Sequence, residues 1–98
     1  MKLARCIVVS LFILHFDAPA FAADGKAVYT RACAVCHAAM APRTGDKAAW
    51  EPRARQGVDA LVNSVVKGKG AMPPKAGNPA LTETEIRAAT EYMLIQVR

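Results

Sequence analysis

The apolar positions of this chain change character along its length. Residues 6–16 are a nearly unbroken apolar run, interrupted only by Ser10 and His15. Beyond it the pattern becomes amphipathic. Val28, Tyr29 and Ala32 give one apolar side to a stretch that begins near Asp24, a side chain suited to capping a helix, and runs toward Cys33. Val58, Leu61, Val62, Val65 and Val66 recur at intervals of three and four between Gly57 and Gly68. Several are β-branched, which favours a strand, but the spacing is helical and decides for a helix. Ile86, Ala89, Thr90, Met93 and Val97 form a third stripe, with Tyr92 beside it. Ahead of that stripe, Thr82-Glu83-Thr84-Glu85 has the form of a capping box. Glu83 and Glu85 suit the positive end of that helix dipole and Arg98 the negative end.

Two stretches stay irregular on this reading. Residues 41–56 hold Pro42, Gly45, Pro52 and the only tryptophan, Trp50. Residues 68–79 hold Gly68, Gly70, Gly77, Pro73, Pro74 and Pro79. Loops this long in a small domain are usually functional or wrapped round something. No hairpin signal, internal repeat or low-complexity segment interrupts the pattern, so the expected fold class is all-α.

The first apolar run belongs to a different kind of element. Lys2 and Arg5 precede it and Ala20-Phe21-Ala22 follows it, which is the layout of a secretory signal peptide. The run falls short of the about 20 apolar residues that a spanning helix needs, an uncleaved anchor being the alternative. The expected organisation is therefore a signal peptide over 1–22 and one domain over 23–98, exported to the periplasm with no membrane span left after cleavage. Loss of Lys2, Arg5 and Asp17 lowers the net charge of +5 by one. A basic chain raises the question of nucleic acid, but export and the lack of any aromatic-basic patch argue against it.

Cleavage also removes Cys6 and leaves Cys33 and Cys36. A domain this small buries only about 60% of the surface its unfolded chain exposes and often needs a staple. A bond between Cys33 and Cys36 would close a tiny loop and constrain little. Something else has to supply apolar bulk.

Cys33-Ala34-Val35-Cys36-His37 carries the chemistry. A redox Cys-x-x-Cys normally opens a helix after a strand in a βαβ setting, and no parallel-sheet pattern surrounds this one. Structural zinc wants four ligands, and here two thiols and an adjacent histidine make three at most. Cys-x-x-Cys-His is also the attachment pattern of c-type haem. One helical turn separates the two thiols, so both can form thioethers along one edge of the macrocycle, and His37 then swings under the iron. Haem c, one per chain, would supply both the missing core and the staple.

CAVCH, VVKGKGAMPPK and the helix ending EIRAATEYM together resemble the class I c-type cytochromes. GDKAAW and AMPPKAG look most like the small bacterial cytochrome c-five group. The resemblance spans about Gly25 to Met93. It implies helices packed round one haem, with the first and last crossing where Gly25 meets Tyr92; an ordinary helix-face aromatic is the other reading of Tyr92. It implies that the Pro42 carbonyl accepts from His37, and that Trp50 and Arg53 (or Arg55) contact haem propionates. Core packing for Trp50 and a solvated arginine remain the alternatives. Members of that group commonly have a second cysteine pair before the last helix; AGNPALTETE has none.

Three methionines compete as the second axial ligand. Met93 lies on an apolar stripe and reads as core. Met40 is too close to His37: three residues span roughly 10 Å, too little to pass round the porphyrin rim and back. Met72, in its glycine- and proline-rich strap, is the expected ligand, with packing against haem as the alternative. His/Met ligation favours electron transfer over substrate binding. The expected function is therefore a soluble, monomeric one-electron carrier without enzymatic activity. The contrasting readings are a haem sensor or enzyme with a displaceable methionine, and a subunit dedicated to one oxidoreductase. Lys26, Lys67, Lys69 and Lys75 are candidates for a basic ring that docks redox partner proteins with acidic surfaces, or simply a solvated face.

Overall fold

The computed structural model describes Ser10 and residues 23–98. The expected signal peptide, 1–22, therefore lies outside the described residues apart from Ser10. Among the described residues the regular elements are helical: α1 (Gly25–Val28), a π-helical turn (Tyr29–Cys33), α2 (Ala34–His37), α3 (Lys47–Ala54), α4 (Val58–Lys67) and α5 (Glu83–Ile95). The all-α expectation holds.

The caps fall where their side chains predict. Asp24 accepts from the Ala27 N–H at 3.2 Å and opens α1. Gly57 and Gly68 flank α4 with positive φ. Thr82 accepts from the Glu85 N–H, and Glu85 accepts in return from the Thr82 N–H, each at 3.1 Å. α5 ends at Ile95, short of Val97 and Arg98.

Three features depart from the sequence reading. Residues 41–56 are not irregular throughout, because they contain α3, opened by Asp46 accepting from the Ala49 N–H at 3.3 Å. Pro52 stands inside that helix, although it has no N–H to give to the helical ladder. The first helix does not run uniformly into the cysteines either. It widens into the π turn, and the Ala34 N–H bonds the Tyr29 carbonyl. Finally, residues 68–79 do contain a pairing: Lys69 and Met72 form an isolated antiparallel bridge, followed by the turn Pro74–Gly77 with Lys75 and Ala76 in left-handed conformations.

α1 and α5 cross at Gly25. A Cβ there would run into the Ala88 carbonyl and stand 3.2 Å from Tyr92 Cβ. The Tyr29 and Tyr92 rings lie 5.2 Å apart beside the crossing. The core has two parts. Val28, Val62, Leu81, Ile86 and Ala89 form one; Trp50, Leu61, Met93 and Leu94 form the other. Cys33 packs against both.

Candidate haem site

Between these clusters lies a cavity of about 370 Å³. Cys33, Cys36 and His37 reach it from α2 and its approach, and Met72 reaches it from the strap after α4. Val28, Leu61, Val65, Leu81, Ile86 and Met93 give it apolar walls. Thr90 and Ser64 also line it, but their hydroxyls donate back to the Ile86 carbonyl (2.8 Å) and the Ala60 carbonyl (3.1 Å) of their own helices. Their polar atoms are thus satisfied without any partner in the cavity.

His37 is oriented by one contact. Its Nδ1 lies 2.8 Å from the Pro42 carbonyl oxygen. A carbonyl only accepts, so Nδ1 carries the proton and Nε2 is left as a lone-pair donor. That is the tautomer a metal ligand needs. The loop that presents Pro42 is itself fastened: Thr44 N–H donates to the His37 carbonyl at 2.8 Å, and Tyr29 Oη donates to Thr44 Oγ1 at 2.7 Å. Trp50 is buried and lines the cavity, its ring centroid 5.9 Å from that of His37. Its indole N–H donates to the Arg43 carbonyl at 2.8 Å. Trp50 thus serves as wall and loop anchor, and its one donor is already engaged. Arg53 lines the cavity with part of its guanidinium donating to the Ala49 carbonyl. Arg55 does not line it; it pairs with Glu51 at 3.0 Å.

Met40 stays beside His37. Its N–H bonds the Cys36 carbonyl at 2.7 Å, in the turn that closes α2, and it is 57% exposed at the cavity rim. Met93 is buried core, as its stripe predicts. Of the four lysines, Lys69 lines the cavity, whereas Lys26 lines a separate groove with Ala88, Tyr92 and Ile95. Arg43 is the residue the sequence reading missed. It acts through its backbone carbonyl, which no side-chain pattern announces.

The alternatives for Cys33 and Cys36 fare poorly. Both thiols are free. Burial pushes the Cys33 thiol up, more than the Arg31 charge pulls it down. A redox nucleophile needs the opposite shift. Among the described residues no three His, Cys, Asp or Glu side chains cluster to hold a metal ion, so zinc lacks its ligand set. An apolar cavity with two thiols, an oriented imidazole and the thioethers of Met40, Met72 and Met93 on its lining fits a covalently held iron porphyrin.

Comparison with known proteins agrees. Residues 20–93 match the family described as Cytochrome C oxidase, cbb3-type, subunit III. The chain is 48% identical over 82 residues to cytochrome c-555 of Chlorobaculum tepidum, covering 76% of each chain. It is 37% identical over 77 residues to cytochrome c5 of Azotobacter vinelandii, covering 74% of this chain and 93% of that one. A solved structure titled as the electron transfer complex of nitrite reductase with cytochrome c contains a chain that is 50% identical. That chain superposes with a TM-score of 0.73, covering 76% of this chain and 95% of its own length. The chain belongs to this cytochrome c family, as a class I c-type cytochrome whose cofactor is haem c.

Proposed function

We propose that the protein is a soluble periplasmic one-electron carrier that acts as a monomer, with residues 1–22 as its export signal and 23–98 as its single domain. Cys33 and Cys36 would hold haem c through thioethers, and His37 and Met72 would ligate its iron. The observation that carries this reading is the shared cavity: the oriented His37 and the strap methionine line the same apolar space as the cysteine pair. Bound there, the iron porphyrin would supply one-electron redox chemistry. The chain's part is to fix the imidazole, exclude water with apolar walls, and offer a neutral sulfur that leaves no open position for a substrate. Arg53 keeps donors to spare for a propionate, with Trp50 beside it as wall. Among the described residues no helix is long and apolar enough to cross a membrane. Redox proteins with acidic docking surfaces are the proposed partners, since Lys69 is at the cavity and, among the described residues, no carboxylate lines it. A related cytochrome is known in complex with a nitrite reductase, which supports a protein partner of that general kind.

Absorption spectra of the purified oxidised and reduced protein test this directly. Thioether haem with sulfur ligation is expected, together with slow carbon monoxide binding at neutral pH. Met72→Ala should lower the midpoint potential and speed carbon monoxide binding. Rapid binding by the unaltered reduced protein would favour a sensor or enzyme with a displaceable methionine instead.

A further inference from the structure

Gly57 and Gly68 bracket α4 in nearly the same backbone state, φ 88° and ψ 158° for one, φ 82° and ψ 157° for the other. That region is open essentially to glycine alone, so a side chain at either position strains the backbone to a similar degree. Their surroundings differ. A Cβ on Gly57 would meet nothing within 4 Å. A Cβ on Gly68 would stand 2.9 Å from the Met72 carbonyl oxygen, 2.9 Å from Pro74 N and 3.0 Å from Pro74 Cδ. These partners are backbone atoms and a ring fused to the backbone, so none can swing aside. Met72 has little slack of its own. Lys69 N–H donates to the Met72 carbonyl and Met72 N–H to the Lys69 carbonyl, both at 3.0 Å.

We infer that Gly68 is a positioning residue for Met72: its bare α-carbon is the surface on which the Met72 backbone rests, and it sets how far the sulfur reaches into the cavity. The inference rests on the reading of Met72 as axial ligand. A neutral thioether has no charge to pull it back into place, so a backbone displaced by a new methyl group carries the sulfur with it.

Gly68→Ala, Gly57→Ala and Met72→Ala holoproteins, made in parallel, test this. The readouts are the red charge-transfer band of sulfur-ligated ferric haem, the midpoint potential and the denaturant midpoint. Gly57→Ala is expected to lower the denaturant midpoint while keeping the band and the potential. Gly68→Ala is expected to lose the band and shift the potential in the direction of Met72→Ala. A wild-type band and potential in Gly68→Ala, or the same loss in both glycine variants, overturns the inference. Should Gly68→Ala yield no holoprotein, Gly68→Ala/Pro74→Ala is read the same way. It removes the ring but keeps the contact with the Met72 carbonyl. A band missing from the wild type, or surviving in Met72→Ala, overturns the ligand reading and this inference with it. A band lost in Met72→Ala but kept in Gly68→Ala overturns the positioning role alone.

Discussion

Gly25 acts through the space it leaves. It is the first residue of α1, where any residue adopts the helical torsions, so an alanine there gains less than the about 1 kcal/mol of propensity that a helix interior would give. Against that gain stands the Ala88 carbonyl, which a Cβ would strike, with Tyr92 Cβ behind it. Overpacking at a tight contact costs about 1–3 kcal/mol. The clash involves backbone and cannot relax by a rotamer change. Gly25→Ala is therefore expected to destabilise the holoprotein by about 1–2 kcal/mol, read as a lower denaturant midpoint, with the haem spectrum unchanged. A neutral or stabilising result would mean that α1 and α5 slide apart freely. The crossing was expected from the resemblance, and so was the Pro42 carbonyl on His37. Neither follows from composition or spacing. Cys33, Cys36 and His37, by contrast, were legible from local chemistry alone. The engagement of the Trp50 N–H was not, because its acceptor is a main-chain oxygen of Arg43.

At the scale of elements, the starts of α1 and α5 were legible from the side chains that cap them, Asp24 and Thr82 with Glu85. The cap of α5 carries a charge that makes it testable. Hydrogen bonds from the Thr82 backbone and hydroxyl, then the Arg31 guanidinium, hold the Glu85 carboxyl below the usual range. A carboxyl whose folded pKa is depressed contributes stability above its unfolded pKa, about 4.3, and loses it as pH falls through the folded value. Glu85→Gln is expected to lower the denaturant midpoint at neutral pH and to flatten its fall below about pH 4.3. Parallel pH curves for the two proteins would show that the charge adds nothing to the cap. The elements that escaped the sequence have physical reasons. α3 begins on Asp46 much as α1 begins on Asp24, but Pro52 masks it. The π turn before Cys33 differs from α-helix by its hydrogen bonding and leaves no trace in residue type. The Lys69–Met72 pairing depends on the strap folding back on the end of α4, a contact that local propensity does not encode.

At the scale of the molecule, the two core clusters share Tyr29, Cys33 and Val58 and flank a cavity of about 370 Å³. Without the cofactor its apolar lining would face water, and small domains have only about 0.05–0.15 kcal/mol of stability per residue to set against that exposure. Nor can the walls simply close. Val28, Leu61, Leu81, Ile86 and Met93 come from four separate segments, and Gly25 already holds α1 against α5 at contact distance. The haem-free Cys33→Ala/Cys36→Ala protein is therefore expected to be largely unfolded. Far-ultraviolet circular dichroism would show little helix, and denaturant would produce no sigmoidal transition. A cooperative transition in that protein would mean that the helices carry their own core and that haem contributes chemistry without structure.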